Sequence, residues 1–90
     1  YNDAIAAYMK AIEIDPNNSS AHFELGVAHA RQKNWTAAIA SYKKAMDLKP
    51  GDPLTPYRCG LAYNALKRPD DAMAMFEKAI ANGSNEPLAY

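Results

Sequence analysis

Much of what supports chemistry in proteins is missing from this chain, and each absence narrows the reading. A single cysteine, Cys59, cannot close an internal disulfide. Ten basic and ten acidic side chains cancel, and neither sign gathers into a run, so the charge footprint that nucleic acid or an anionic lipid surface requires is lacking. The longest unbroken apolar stretch, Ala4 to Met9, falls far short of the roughly 20 residues that cross a bilayer. Strand-length alternation of apolar and polar residues is absent, as are a cysteine pair, a glycine-rich phosphate loop and a supported Ser-His-Asp ordering. His22 and His29 are separated by two helical turns, about 10.5 Å along an axis, too far to share one metal ion. Packing is the reading they receive. We therefore expect no catalytic residue, no metal and no cofactor, and neither nucleic acid nor membrane insertion among the partners.

What the chain does have is a period of 34 residues. Ala4, Ala38 and Ala72 fall on it, as do Ala11, Ala45 and Ala79. Tyr8, Tyr42 and Phe76 fall on it too, with Ile5, Ile39 and Met73, and with Lys10, Lys44 and Lys78. Small, aromatic and basic residues recur together, which is the mark of a repeat array. Each unit holds two stretches of helical periodicity, and neither buries its apolar face alone, so the units must stack. Such an architecture offers a binding surface before it offers a reaction.

Within the unit 19–52 stand Leu25-Gly26, Ala38, Tyr42, Ala45 and Pro50, and unit 53–86 answers with Cys59-Gly60, Tyr63, Ala72, Phe76 and Ala79. This pattern resembles the tetratricopeptide repeat, in which a Leu-Gly pair, aromatics, small residues and a proline recur through a helix-turn-helix of this length. Residues 1–18 match the second helix of a partial repeat through Ala4, Tyr8, Ala11 and Pro16, and residues 87–90 look like the start of a further one. His22, His29 and Ser84 depart from the pattern, where the family usually has Trp, Tyr and Pro. The resemblance implies an all-α fold, a right-handed superhelical solenoid of antiparallel helix-turn-helix repeats with five main helices. With Tyr1 in mid-repeat, the chain reads as a piece of a longer array, and its cellular compartment is not legible.

The periodicity predicts helices over 3–14, 20–33, 36–48, 56–67 and 70–82. Asp15-Pro16-Asn17-Asn18 ends the first of these, and Lys49-Pro50-Gly51-Asp52-Pro53 ends the third. Ser19 or Ser20 is expected to cap the second helix. Thr55 is expected to cap the fourth, with Pro56 in its first turn, so that this helix starts late. Pro69 opens the fifth and Asn82-Gly83 ends it. Asp70-Asp71 reads as first-turn charge that favours the helix dipole. Asn17, Asn18, Asn34 and Asn82 begin Asn-x-Ser/Thr triplets that coincide with turns and are read equally as capping groups or glycan acceptors. Gly26 is expected to face Ala38 and Ala45, Gly60 to face Ala72 and Ala79, and Tyr42 and Phe76 to fill the wedge between successive units. Cys59, in the place of Leu25, is a small buried hydrophobe.

The resemblance also implies a groove lined by the first helix of each unit. Its matching side chains are Phe23, Val27, Ala30 and Arg31, then Tyr57, Arg58, Leu61 and Asn64. Phe23, Val27 and Ala30 share one helix face, and Tyr57, Leu61 and Asn64 repeat it. A subgroup of the family grips a terminal carboxylate with Lys and Asn, but Phe23 and Val27 occupy those places. Two readings of the stripe stand: either neighbouring repeats cover Phe23 and Tyr57 while Glu24 pairs with Arg58, or the stripe holds a peptide or helix segment, with Arg31 and Arg58 choosing an acidic flank. The function expected is a protein-interaction scaffold or adaptor. The alternatives are a substrate-delivery domain of a larger enzyme and a self-assembling structural repeat, with a homo-oligomer formed through exposed terminal helices.

Overall fold

A computed structural model describes residues 2–83. Five helices follow one another, α1 (Asn2–Ile14), α2 (Ser19–Arg31), α3 (Trp35–Leu48), α4 (Leu54–Ala65) and α5 (Pro69–Ala81), and no strand occurs among the described residues. Each helix packs on the next in sequence, α2 against α3 and α4 against α5 most extensively. The result is a slab of 34 × 25 × 17 Å built from nearest neighbours, as a helical-hairpin solenoid must be. Residues 84–90, with Ser84, the end of the second full unit and the start of a further one, lie outside the described residues.

Turn chemistry fixes the boundaries, and several differ from the sequence expectation. The cap of α2 is Asn18 rather than a serine, its side chain accepting from the Ala21 amide at 3.2 Å. Helix α4 begins at Leu54, one residue late relative to α2, and Thr55 lies inside it. Asp52 does the capping: its carboxylate accepts from the Leu54 amide at 3.0 Å and from the Thr55 hydroxyl at 2.9 Å. Pro56 sits in the first turn, where a missing amide hydrogen costs nothing. Pro69 opens α5, and Gly83 follows its end at φ 95°. In that first turn Asp71 pairs with Arg68 at 2.7 Å, an exposed ion pair of small energetic weight.

Helices α2 and α4 both stop two residues before the expected ends, and for one reason. Lys33 and Lys67 adopt left-handed backbone, at φ 61° and 60°. The Asn34 amide then reaches back to the His29 carbonyl and the Lys33 amide to that of Ala30, while Arg68 and Lys67 do the same to Tyr63 and Asn64. This paired closure satisfies the last free carbonyls, and it uses lysine where glycine is usual.

The core runs through Ala38, Ile39, Tyr42 and Met46 of α3, Cys59, Ala62 and Tyr63 of α4, and Ala72 and Phe76 of α5. Gly26 meets Ala38 as expected, a Cβ there standing 3.2 Å from the Ala38 carbonyl, but the nearest neighbour of both glycines is an aromatic ring. A Cβ at Gly26 would stand 2.6 Å from the Tyr42 ring, and one at Gly60 equally close to Phe76. Each aromatic therefore crosses the glycine of its own hairpin, and Tyr42 also borders the next unit through the common core. His22 donates from Nε2 to the Pro16 carbonyl, 3.0 Å away, and is a packed and bonded histidine.

Candidate functional site

Five of the eight residues assigned to the groove converge on one open pocket of about 250 Å³. Val27, Ala30 and Arg31 come from α2, and Arg58 and Leu61 from α4; Trp35, Tyr42 and Ala62 complete the lining. The sequence reading missed Trp35, although its position at the start of α3, directly after the closing turn of α2, carries it to this rim. Leu61 is 38% exposed, an aliphatic side chain left open to solvent. The arrangement is an apolar floor with guanidinium groups on the rim. The chemistry of this lining suits an apolar side chain beside an anionic group.

Phe23 and Tyr57 stand apart from that pocket. Each is half-buried and tilted against a core ring, Phe23 on Tyr42 at 5.9 Å and Tyr57 on Phe76 at 5.8 Å between centroids. Arg58 lies over the Phe23 ring at 5.9 Å, a cation–π contact. The Glu24–Arg58 ion pair considered from sequence is not formed; Glu24 instead accepts from the Tyr8 hydroxyl at 3.4 Å. Asn64 is exposed on the last turn of α4 and does not line the pocket.

A second, smaller pocket of about 120 Å³ opens on the same face one helix earlier, lined by Ala4, Tyr8, Glu24, Val27, Ala28 and Arg31. Val27 and Arg31 belong to both, so the two pockets adjoin.

Titration behaviour points to structure. Burial pushes the Tyr42 phenol up to about 12 and the Cys59 thiol up to about 11, which leaves Cys59 a poor nucleophile at neutral pH. Lys43 is raised by its hydrogen bond to Tyr63, a ring that Arg68 also covers at 5.4 Å. His29 occupies the place of Tyr63 one unit earlier, and its Nδ1 is buried without a hydrogen-bond partner. Among the described residues no group of three or more His, Cys, Asp or Glu side chains is placed to hold a metal ion, and no helix is long and apolar enough to cross a membrane.

Comparison with known proteins bears on the family and the fold. A family model described as tetratricopeptide repeat matches residues 29–90, and one described as TPR repeat matches residues 1–33. Among solved structures, MamA is similar at 29% identity and a TM-score of 0.85, over 87% of this chain and 46% of that one. A MamA structure labelled AMB-1 gives 30% identity and 0.86, over 90% and 48%. The CopN-Scc3 complex, at 21% identity and 0.86 over 93% and 49%, shares the fold. The chain thus spans just under half the length of these proteins. No curated protein matches it.

Proposed function

The chain belongs to the tetratricopeptide repeat family, and on that premise we propose that it is a protein-interaction module that holds a peptide or helix segment along α2 and α4. Support comes from one observation above the others: Val27, Ala30 and Leu61 form an open apolar floor, with Arg31 and Arg58 at its edge. Soluble proteins rarely leave such a patch uncovered without a partner for it. Helix-in-groove and extended-peptide modes both use this combination of apolar anchors and rim charges. The repeat boundaries fit this role, with residues 19–52 and 53–86 each contributing one groove helix.

The test uses peptides selected from a random display library against the 90-residue chain. Leu61→Asp places a charge on the pocket floor from an already exposed position, so helical content and melting are expected to persist while affinity falls at least about tenfold. Binding that survives Leu61→Asp unchanged overturns the groove.

A second reading, self-association, draws support from the apolar side chains open on α1 and α5. Met9 and Ile14 are 57% and 78% exposed, and Met73 and Ile80 are each 49% exposed. Light scattering coupled to size exclusion decides it: a mass that grows with concentration supports association, and a constant monomer mass removes it.

A further inference from the structure

The two adjoining pockets are one subsite written twice with different charge. Adding 34 to Tyr8, Glu24, Val27 and Ala28 of the smaller pocket gives Tyr42, Arg58, Leu61 and Ala62 of the larger. The aromatic wall and apolar floor are kept, and the rim is not: a carboxylate in the first becomes a guanidinium in the second. Arg31 borders both pockets, and its own counterpart is Ala65, so this cation appears once. The larger pocket therefore carries two arginines and no acidic lining residue, while the smaller sets Glu24 against Arg31. Neither arginine has a carboxylate partner among the described residues, where the ion pair formed is Arg68–Asp71. Arg58 is further steadied by the Phe23 ring beneath it, which leaves the planar fork oriented before a ligand arrives.

Resting on the groove reading, we infer that the site selects protein segments in which an apolar side chain is flanked by aspartate or glutamate, the apolar group entering the larger pocket and the carboxylates lying over Arg31 and Arg58. Glu24 opposes further acidic residues at the other end. The ligand is thereby given a direction, its acidic side toward α4 and its neutral or basic side toward α1. Guanidinium groups suit this task because they stay charged at every physiological pH and bind carboxylates through two parallel hydrogen bonds.

Parallel selections from a random-peptide display library, against the wild-type chain and against an Arg31→Glu/Arg58→Glu double variant of confirmed helical content, test the inference. Wild-type selections are expected to place Asp or Glu within one helical turn of an apolar residue, and their affinity to fall as salt rises. The double variant is expected to bind those peptides at least about tenfold more weakly and to select Lys- or Arg-flanked sequences instead. Peptides that require Leu61 yet show no acidic preference, and bind the double variant equally, overturn the charge selection and leave the groove standing. Peptides indifferent to Leu61→Asp, or a selection that yields no binder at this face, defeat the groove and the charge selection together. A second copy of the chain occupying the pocket, seen as association that Arg58→Glu abolishes, also overturns the inference.

Discussion

The ring of Tyr42 lies across Gly26 so closely that a Cβ there would stand 2.6 Å from two ring carbons and 3.2 Å from the Ala38 carbonyl. Gly60 and Phe76 repeat the contact one unit later. The closeness sets the distance between the two helices of each hairpin, because both rings are almost fully buried and packed into the core. Gly26→Ala and Gly60→Ala are each expected to cost about 1 to 3 kcal/mol by overpacking, despite the better helix propensity of alanine. Gly51→Ala, where nothing lies within 4 Å, is expected to stay within about 0.5 kcal/mol of wild type. Urea unfolding monitored by circular dichroism separates the three variants.

Alkaline pH probes the same core. Cys59 and Tyr42 are held neutral by burial, their folded values standing at about 11 and about 12 against ordinary values of 9.0 and 10.0. For a group whose folded value is raised, the stabilisation is complete below the unfolded value and is lost as pH climbs through the folded one. The melting temperature is therefore expected to be level up to about pH 9 with respect to these two groups, and to fall between about pH 9 and pH 12. Cys59→Ala is expected to delay the onset by about one pH unit, because the phenol alone then begins to titrate near 10 in the unfolded chain. A thiol reagent gives an independent reading: native Cys59 reacts slowly at neutral pH and rapidly in denaturant.

An opening among α1, α2 and α3 is explained by the repeat register. An apolar pocket of about 340 Å³ lies between Met9, Ile12, His22, Leu25, Ala40, Ser41 and Lys44. One unit later the position of Ser41 holds Met75, which packs against the core cluster. Ser41→Met is expected to cover part of this floor and to raise stability by about 1 kcal/mol, or about 4 to 8 °C in a domain of this size. Differential scanning calorimetry checks it, and an unchanged or lowered melting temperature contradicts it.

Most of the architecture was legible because the period places like residues in like environments: Ala38 with Ala72, Tyr42 with Phe76, Gly26 with Gly60. Local chemistry was less legible. Asn18 and Asp52, one unit apart, won the caps from Ser19 and Thr55 because each stands at the end of a proline turn that already aims its side chain at free amides. The left-handed lysines at Lys33 and Lys67 gave no compositional signal, since glycine or asparagine normally marks such an end. A different kind of blindness concerns Asn82, whose amide donates to the Pro50 carbonyl at 2.9 Å from the far end of α5. One unit earlier His22 contacts the Pro16 carbonyl instead, and since His22 becomes Pro56 in the second unit, the bond is supplied from another helix. Long-range replacement of this kind leaves no local pattern. In the groove, spacing brought out Val27, Ala30, Arg31, Arg58 and Leu61 together, whereas the half-burial of Phe23 and Tyr57 depends on ring packing that spacing does not encode.

A ligand lying along α2 and α4 is tested most directly by amide chemical-shift mapping. Isotope-labelled protein is titrated with a display-selected peptide whose binding is saturable. The largest shifts are expected to cluster at Val27, Ala30, Arg31, Arg58, Leu61 and Ala62, together with the Trp35 indole, while the rest of α3 and α5 is nearly silent. Shifts concentrated instead around Met9, Ser41 and Lys44, or spread along α1 and α5, contradict it.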